Sequence, residues 1–451
     1  MLNNTARNRA KQECEYESNV LSQRCLLFVR PILQKLHKDL DRRLVQTFID
    51  LVMIIIMHRH RNNGLLLSEL GDLLLGGDRG PAGTKRIANL IHSSRWTALV
   101  VEEHLWGEGD RKVKALLGGQ EAVYLIWDES VIEKPESLQA EGLCAVRSSK
   151  ALRLKRIKPG YFNPPGGGPI FVPGMNWLQV IVVGLHGAPV LAHVRWWTTR
   201  GDLSSDKRKE EEQVLKKVGQ LWGREVIHVW DRGFAGAPWT QLALDNDLRF
   251  IVRWKKDYKL VGPDNQLKKT WEISRGKRSW DHKMIHDTQR QCDRKTGVVA
   301  FPVHLPDDPR PLWLVVSRPG KGRKPWYLVT SEPVETIDDA WRIVFAYARR
   351  WQIEVSIRFT KSELAFESPR LHKWDHRLKF LLIASLAYAF LLSLLSNAKQ
   401  PTVVWLLKRW CHRNGKRSRL STPFYRLRLA LSRLWNEFRP LSLPTPLVRL
   451  N

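Results

Sequence analysis

The sequence has no long hydrophobic run. Its two longest, Leu51–Met57 and Phe380–Leu395, fall short of the ~18 apolar residues that a membrane-spanning helix needs. The second also holds Ser385, Tyr388 and Ser393. Both read as buried core helices, and no membrane partner is expected. Cysteine is sparse, odd in number and scattered: Cys14, Cys25, Cys144, Cys292 and Cys411. No CxxC pair or Cys/His cluster occurs, so reduced thiols and no structural zinc are expected. The first residues, MLNNTARNRAKQECEYE, hold no apolar stretch of the secretory kind, which reads as a cytoplasmic protein. No repeat and no low-complexity tract appears. Acid is in deficit, with 45 Asp and Glu against 74 Lys and Arg, a formal charge of +29. That excess points to a polyanion, and nucleic acid is the usual one.

What is present is enough for several domains. The chain has 451 residues, of which 43% are hydrophobic, and 20 are Trp. Aromatics interleaved with basic residues suit base stacking as well as core packing. Residues 1 to about 118 read as helical. Val20–His60 is long and periodic, with Pro31 as its main interruption, and Leu65–Leu75 is closed by Gly76 and Gly77. Thr84 reads as the N-cap of a helix over 85–96 carrying Lys85, Arg86, Asn89, His92 and Arg95. A helix, a Gly turn and a basic helix suit a major-groove reader, and equally an ordinary bundle with a solvated basic face.

The pattern changes at Ala122. Strands are expected at 122–128, 177–184, 189–197, 225–231 and 249–255, with helices at 207–222 and 237–246. A further helix follows at 341–361. That element order is the one of a ribonuclease-H-like fold, a mixed sheet flanked by helices. The span 257–336 holds alternating runs at 297–303, 312–317 and 326–331 and reads as a β-rich insertion. Residues 145–161 carry Arg147, Lys150, Arg153, Lys155, Arg156 and Lys158 with no acid and read as a basic loop. After 366 the chain is helical again. Twelve Lys or Arg but only one acid, Glu437, lie between 396 and 451.

Asp128 and Asp231 each end an apolar strand. Such acids are usually turn or helix caps. In this element order, however, their strand ends fall side by side, where open α/β sheets gather ligands. The stretch 341–361 is read as one helix, apolar on most sides through Ile343, Val344, Phe345, Trp351, Ile353, Val355, Ile357 and Phe359. Tyr347, Arg350, Glu354 and Lys361 fall on it within roughly 60° of arc. An Arg–Glu pair at i,i+4 on a solvated edge is the plain explanation of such a stripe. With Glu354 added to the two aspartates, the site becomes an all-oxygen cage of the kind hard Mg²⁺ or Mn²⁺ ions take. Two such ions about 4 Å apart activate and stabilise the oxygens of phosphodiester displacement.

Tyr347, two residues, Arg350, three residues, Glu354, six residues, Lys361 resembles the Tyr-Arg-Glu-Lys motif of bacterial insertion-sequence transposases of the DDE class. WDES (127–130) and Asp231-Arg-Gly-Phe resemble that family's first and second aspartate motifs, and TSEPVETIDDAWRI (330–343) resembles the run into the third. The likeness covers about 122–365. It departs at Ser130, where the family usually has Thr, and at Glu129, which adds an acid next to Asp128. The resemblance implies Asp128, Asp231 and Glu354 as catalytic metal ligands for two Mg²⁺ or Mn²⁺ ions. It implies DNA contacts at Tyr347, Arg350 and Lys361, and stacking of a flipped base on Trp326, with Trp313 the alternate. It further implies excision through a hairpin, transposon-end inverted repeats and target DNA as partners, and a homodimer at the bacterial nucleoid. The divisions expected are a helical DNA-binding domain at 1–118, a catalytic core at 119–256 and 337–366, the β-rich insertion at 257–336 and a basic helical region at 367–451. A nuclease of the same fold without strand transfer, or an inactive DNA-binding derivative, are the alternative readings.

Overall fold

The computed structural model describes residues 2–58, 64–134, 139–148, 169–287, 292–320, 323–396, 400–411 and 424–440. Five helices come first: α1 (Leu2–Leu36), α2 (Arg42–Met57), α3 (Leu67–Leu75), α4 (Gly80–His92) and α5 (Leu99–Gly118). Then come β1 (Val123–Glu133), β2 (Cys144–Arg147), β3 (Phe171–Val183), β4 (Val190–Trp197), α6 (Lys207–Trp222), β5 (Val226–Trp230), α7 (Ala237–Asp245) and β6 (Arg249–Arg253). Next are β7 (Lys259–Val261), β8 (Leu267–Lys269), α8 (Thr270–Ser274), β9 (Asp281–Asp287), β10 (Cys292–Leu305), β11 (Asp308–Arg318) and β12 (Trp326–Thr330). The chain closes on α9 (Ile337–Ala348), α10 (Trp351–Ser362), α11 (Trp374–Ser396), α12 (Pro401–Trp410) and α13 (Phe424–Glu437).

The strands form one mixed sheet in the order β2-β3-β1-β5-β6-β12-β11-β10-β7-β8, with β4 beside β3 and β9 beside β10. The pairs β1–β5 and β5–β6 are parallel, while β1–β3 and β3–β4 are antiparallel. Helices cover both faces, so the central strands are apolar on both sides rather than alternating. On β1, Tyr124 and Ile126 enter the core shared with α9, α10 and α11, while Val123, Leu125 and Trp127 enter the core under α6 and α7. The expected strands of the span 257–336 are present, and β12 pairs with β6, so they carry the same sheet onward. Most of the basic run 145–161 lies outside the described residues; its first part forms β2. Of the twelve C-terminal basic residues, Lys399, Arg413, Lys416, Arg417, Arg419 and Arg449 lie outside them too.

Tryptophan serves mainly as core here. Trp127, Trp177, Trp230, Trp341 and Trp435 are fully buried. The apolar run Phe380–Leu395 sits in α11, a 23-residue helix long and apolar enough by composition to cross a membrane. Its most apolar stretch is 83% buried inside the protein. Arg428 of α13 is buried with it and donates to the carbonyls of Ile55 and His58 at the end of α2.

The N-terminal helix pair differs from expectation. The helix begins at Gly80, not after Thr84, because Pro81 fits its first turn. Thr84 lies inside it, its hydroxyl donating to the Gly80 carbonyl at 3.0 Å. Arg86 does not join the exposed basic face. It turns inward to Thr47 (2.7 Å) and Asp50 (3.3 Å) of α2. Lys85, Asn89 and His92 remain exposed, and Arg95 lies past the helix end. α3 and α4 cross at Gly71 and Gly83, where a Cβ on Gly83 would stand 2.2 Å from the Gly71 carbonyl oxygen. Backbone cannot yield as a side-chain tip does. Gly83→Ala is therefore expected to cost about 1–3 kcal/mol, read as a lower denaturation midpoint.

Candidate active site

Two adjacent parallel strands set the first two acids. The β1–β5 register runs to Ile126 opposite Val229. Two residues past that last pair come Asp128 and Asp231, near enough for Asp231 to act on the Asp128 carboxyl. Asp231 follows the end of β5, but Asp128 does not end its strand as expected: β1 runs on to Glu133, because its pairing with β3 continues where that with β5 stops. Asp128 shares the sheet face of Tyr124 and Ile126, and Asp231 that of Ile227 and Val229. Asp231 also caps the short turn 232–234, its Oδ1 accepting from Gly233 N at 2.6 Å. The turn reading of this acid and the site reading thus hold together. Glu129 points to the opposite face, where Lys207 of α6 pairs with it and, at 3.5 Å, with Glu211.

The third acid comes from α10. The stretch expected as one helix is two. Thr336 and Asp339 form a capping box that starts α9. The helix ladder breaks at Arg349, and bonds of the tighter three-residue kind take over: Arg350 N to Tyr347 O, Gln352 N to Arg349 O and Ile353 N to Arg350 O. At three residues per turn, Arg350 lies directly over Tyr347, its guanidinium 5.8 Å from the ring centroid. The bend also brings Phe345 and Trp351 to the surface, 37% and 38% exposed, where core positions were expected. α10 is pinned by a buried hydrogen bond, Ser356 Oγ to Gln179 Oε1 at 2.9 Å. Gln179 lies directly opposite Asp128 in the β1–β3 register.

Arg350 pairs with Glu354 and lies 3.7 Å from Asp128 Oδ2. The Arg–Glu ion pair expected of a plain helix is therefore real, but it is made beside Asp128. Burial is the main influence on Asp128 and pushes its carboxyl up to about 7; Arg350 opposes this, while Asp231 and Glu354 add to it. Burial also works against the Arg350 charge, but Tyr347, Glu354 and Asp128 outweigh it and hold the guanidinium protonated. Tyr347 is buried, and its hydroxyl is raised mainly for that reason, with Arg350 and Arg253 opposing. The Tyr347 ring meets Trp326 edge-on at 5.1 Å. Trp326 opens β12 opposite Ser317, whereas Trp313 lies four residues away along β11, about 13 Å. Lys361 is half-buried in the last turn of α10. Arg253, at the end of β6, was not singled out by its sequence. Only the sheet order, which sets β6 beside β5, gives it away.

The donor set is three hard carboxylates, which suits Mg²⁺ or Mn²⁺. As they stand, no three His, Cys, Asp or Glu side chains among the described residues meet closely enough to hold an ion. Glu354, drawn to Arg350, has to turn toward the aspartates to complete the set. Asp128 bears the cost of burial, to which Asp231 and Glu354 add. A carboxyl raised by folding stabilises the fold while protonated and loses that contribution as pH rises from 3.8 through about 7. Asp128→Asn is therefore expected to raise the metal-free melting temperature by a few degrees at pH 8. A smaller rise is expected at pH 5, where the folded carboxyl is protonated but the unfolded one is ionised, and little change below pH 3.8.

The mixed sheet with flanking helices and the acids where β1 and β5 part define the class as an α/β protein with a carboxylate-lined site. Residues 178–390, just under half of the chain, match the family described as "Transposase DDE domain". Asp231 and Glu354 fall inside the matched span, and Asp128 precedes it. The match supports a DDE transposase, an enzyme acting on DNA. Among solved structures, the chain is similar to one described as "Cryo-EM structure of piggyBac transposase synaptic complex with hairpin DNA (SNHP)". The two are 12% identical, over 98% of this chain and 86% of that one, with a TM-score of 0.42.

Proposed function

We propose that the chain is a cut-and-paste DNA transposase with a ribonuclease-H-like core. It binds the terminal inverted repeats of its element, cuts there and joins the freed 3′-OH ends to target DNA. The observation that carries this reading is the meeting of Asp128, Asp231 and Arg350–Glu354 where the parallel pairing of β1 and β5 ends. The order β4-β3-β1-β5-β6 and its mixed polarity support the core assignment.

Asp128, Asp231 and Glu354 would hold the ions; bound there, divalent metal supplies a Lewis acid for both the attacking and the leaving oxygen. The protein's own residues do the rest. Arg350 places a fixed positive charge beside the acids, and a phosphate entering the site takes it over from Glu354 by charge-assisted hydrogen bonds. That exchange frees Glu354 to turn inward. Lys361, on the same helix, contacts the backbone further out, and Tyr347 carries the Arg350 guanidinium on its ring face. Trp326 offers a ring face to a base leaving the stack, which makes room for the strand to fold back as a hairpin. Water attacks first and frees a 3′-OH; that hydroxyl attacks the opposite strand, the hairpin is hydrolysed, and the same 3′-OH then attacks target DNA. Two ends must be held together, so the working form is a homodimer on DNA.

The reading is tested with the DNA flanking the gene. Short inverted repeats are expected there, and purified protein with Mg²⁺ is expected to nick at their outer boundary and to join pre-cut ends to a plasmid. Nicking without joining under any divalent metal would instead assign a nuclease.

A further inference from the structure

On the other face of the sheet, behind the Asp231 turn, lies a cavity of about 400 Å³. It is walled by the start of α6, the turn 233–236 and the start of α7. The rings of Phe234 and Trp239 line it, with the Arg208 guanidinium 5.5 Å from the Trp239 ring and the Lys207 ammonium 5.3 Å from that of Phe234. Lys207 is already matched by Glu129 and Glu211. Arg208 has no carboxylate within ion-pair distance among the described residues. One buried polar group on the wall lacks a hydrogen-bond partner, the Trp239 indole N–H, a donor; Glu211 Oε1 is taken up by Lys207 at 3.5 Å. The Trp239 side chain is more than nine-tenths buried. Other indoles in the core share that state, but among the residues lining this cavity Trp239 alone does.

A cavity walled by two aromatic rings, with one indole donor in its wall and a guanidinium without a carboxylate partner at its rim, matches one nucleotide. The base enters the slot, and its phosphate meets Arg208. Gly233 belongs both to this cavity and to the turn that holds Asp231, so the nucleotide lies next to the reacting phosphate. We propose that this cavity receives an unstacked nucleotide of the DNA outside the element, on the 5′-phosphate side of the reacting bond. It rests on the transposase reading. The chemistry says why one site serves twice. In cleavage, the element's 3′ oxygen parts from the phosphate that the flanking strand retains. In joining, that 3′ oxygen bonds to a target phosphate and the target's 3′ oxygen leaves, so the target's 5′ side takes the place the flank had. Trp326 and Tyr347 hold the element's side; this cavity holds the other.

The test uses the full chain on duplex element ends with 5-iododeoxyuridine at each of the first three flanking nucleotides, Ca²⁺ replacing Mg²⁺, and irradiation followed by peptide mapping. A crosslink to Phe234 or Trp239 is expected from one of these positions. It is expected to fall at least about fivefold in Arg208→Ala, to recover in part in Arg208→Lys, and to vanish when Ala235→Trp fills the slot. End binding by gel shift and the melting temperature confirm that the variants are folded. If the wild type nicks its ends but these positions crosslink only elsewhere, or crosslink undiminished in Ala235→Trp, the cavity assignment is overturned. If the wild type neither binds nor nicks the ends, it is the transposase reading that fails.

Discussion

Glu354→Gln is expected to bind element ends as the wild type does and to lose Mg²⁺-dependent nicking by roughly a thousandfold or more. The substitution keeps the size of the side chain and removes only its charge. Glu354 sits in the first turn of α10, where a negative charge is favoured by the helix, and its side chain is 30% exposed, so the fold changes little. The loss is chemical. Asp128 and Asp231 come from neighbouring strands of a rigid sheet, while Glu354 alone arrives from the other element. Without its charge the ions are held from one side, and the leaving oxygen loses its stabilisation. Arg350, released from its partner, still faces Asp128 and still contacts phosphate, which is why binding survives. A binding isotherm and a nicking time course on the same labelled end separate the two effects.

Trp326→Ala is expected to nick normally and to form hairpins poorly. A base stacked on an aromatic face gains about 1–3 kcal/mol, so loss of the ring predicts a fall of about tenfold to a hundredfold in the hairpin step. The position supports this. Trp326 is half-buried at the open end of β12 and touches Tyr347 edge-on, so one edge of the ring is fixed. Trp313 is part of the same sheet but lies about 13 Å along the strand from that row. Trp313→Ala is thus the control and is expected to leave the hairpin yield unchanged. Hairpin product on a denaturing gel, per nicked end, is the quantity to measure.

Much of this was legible in the residues. The two aspartates were visible because a buried central strand is a run of apolar residues and Asp128 and Asp231 interrupt theirs; that β1 runs on past Asp128 was not, because its partner there is β3 alone. The spacing from Tyr347 to Lys361 identified the third element. What escaped was geometry that depends on contacts. The break between α9 and α10 leaves no Pro or Gly in the sequence; Arg349 and Arg350 keep helical dihedrals and change only the hydrogen-bond step. That small change decides which side chains face outward, and so Phe345 and Trp351 were misjudged. Arg86 looked like part of a basic face because a helical wheel does not show Asp50 on another helix. Arg253 carries no motif and matters only because β6 lies next to β5. The stripe at 347–361 remains the feature that organises the site, now as two helices meeting over the acids rather than one.

The claim that Asp128, Asp231 and Glu354 form one metal site is tested most directly by Mn²⁺ titration of the protein bound to its element end, followed by electron paramagnetic resonance. Two bound ions are expected for the wild type, with marked loss in each of Asp128→Asn, Asp231→Asn and Glu354→Gln. Undiminished Mn²⁺ binding in all three variants would contradict the account.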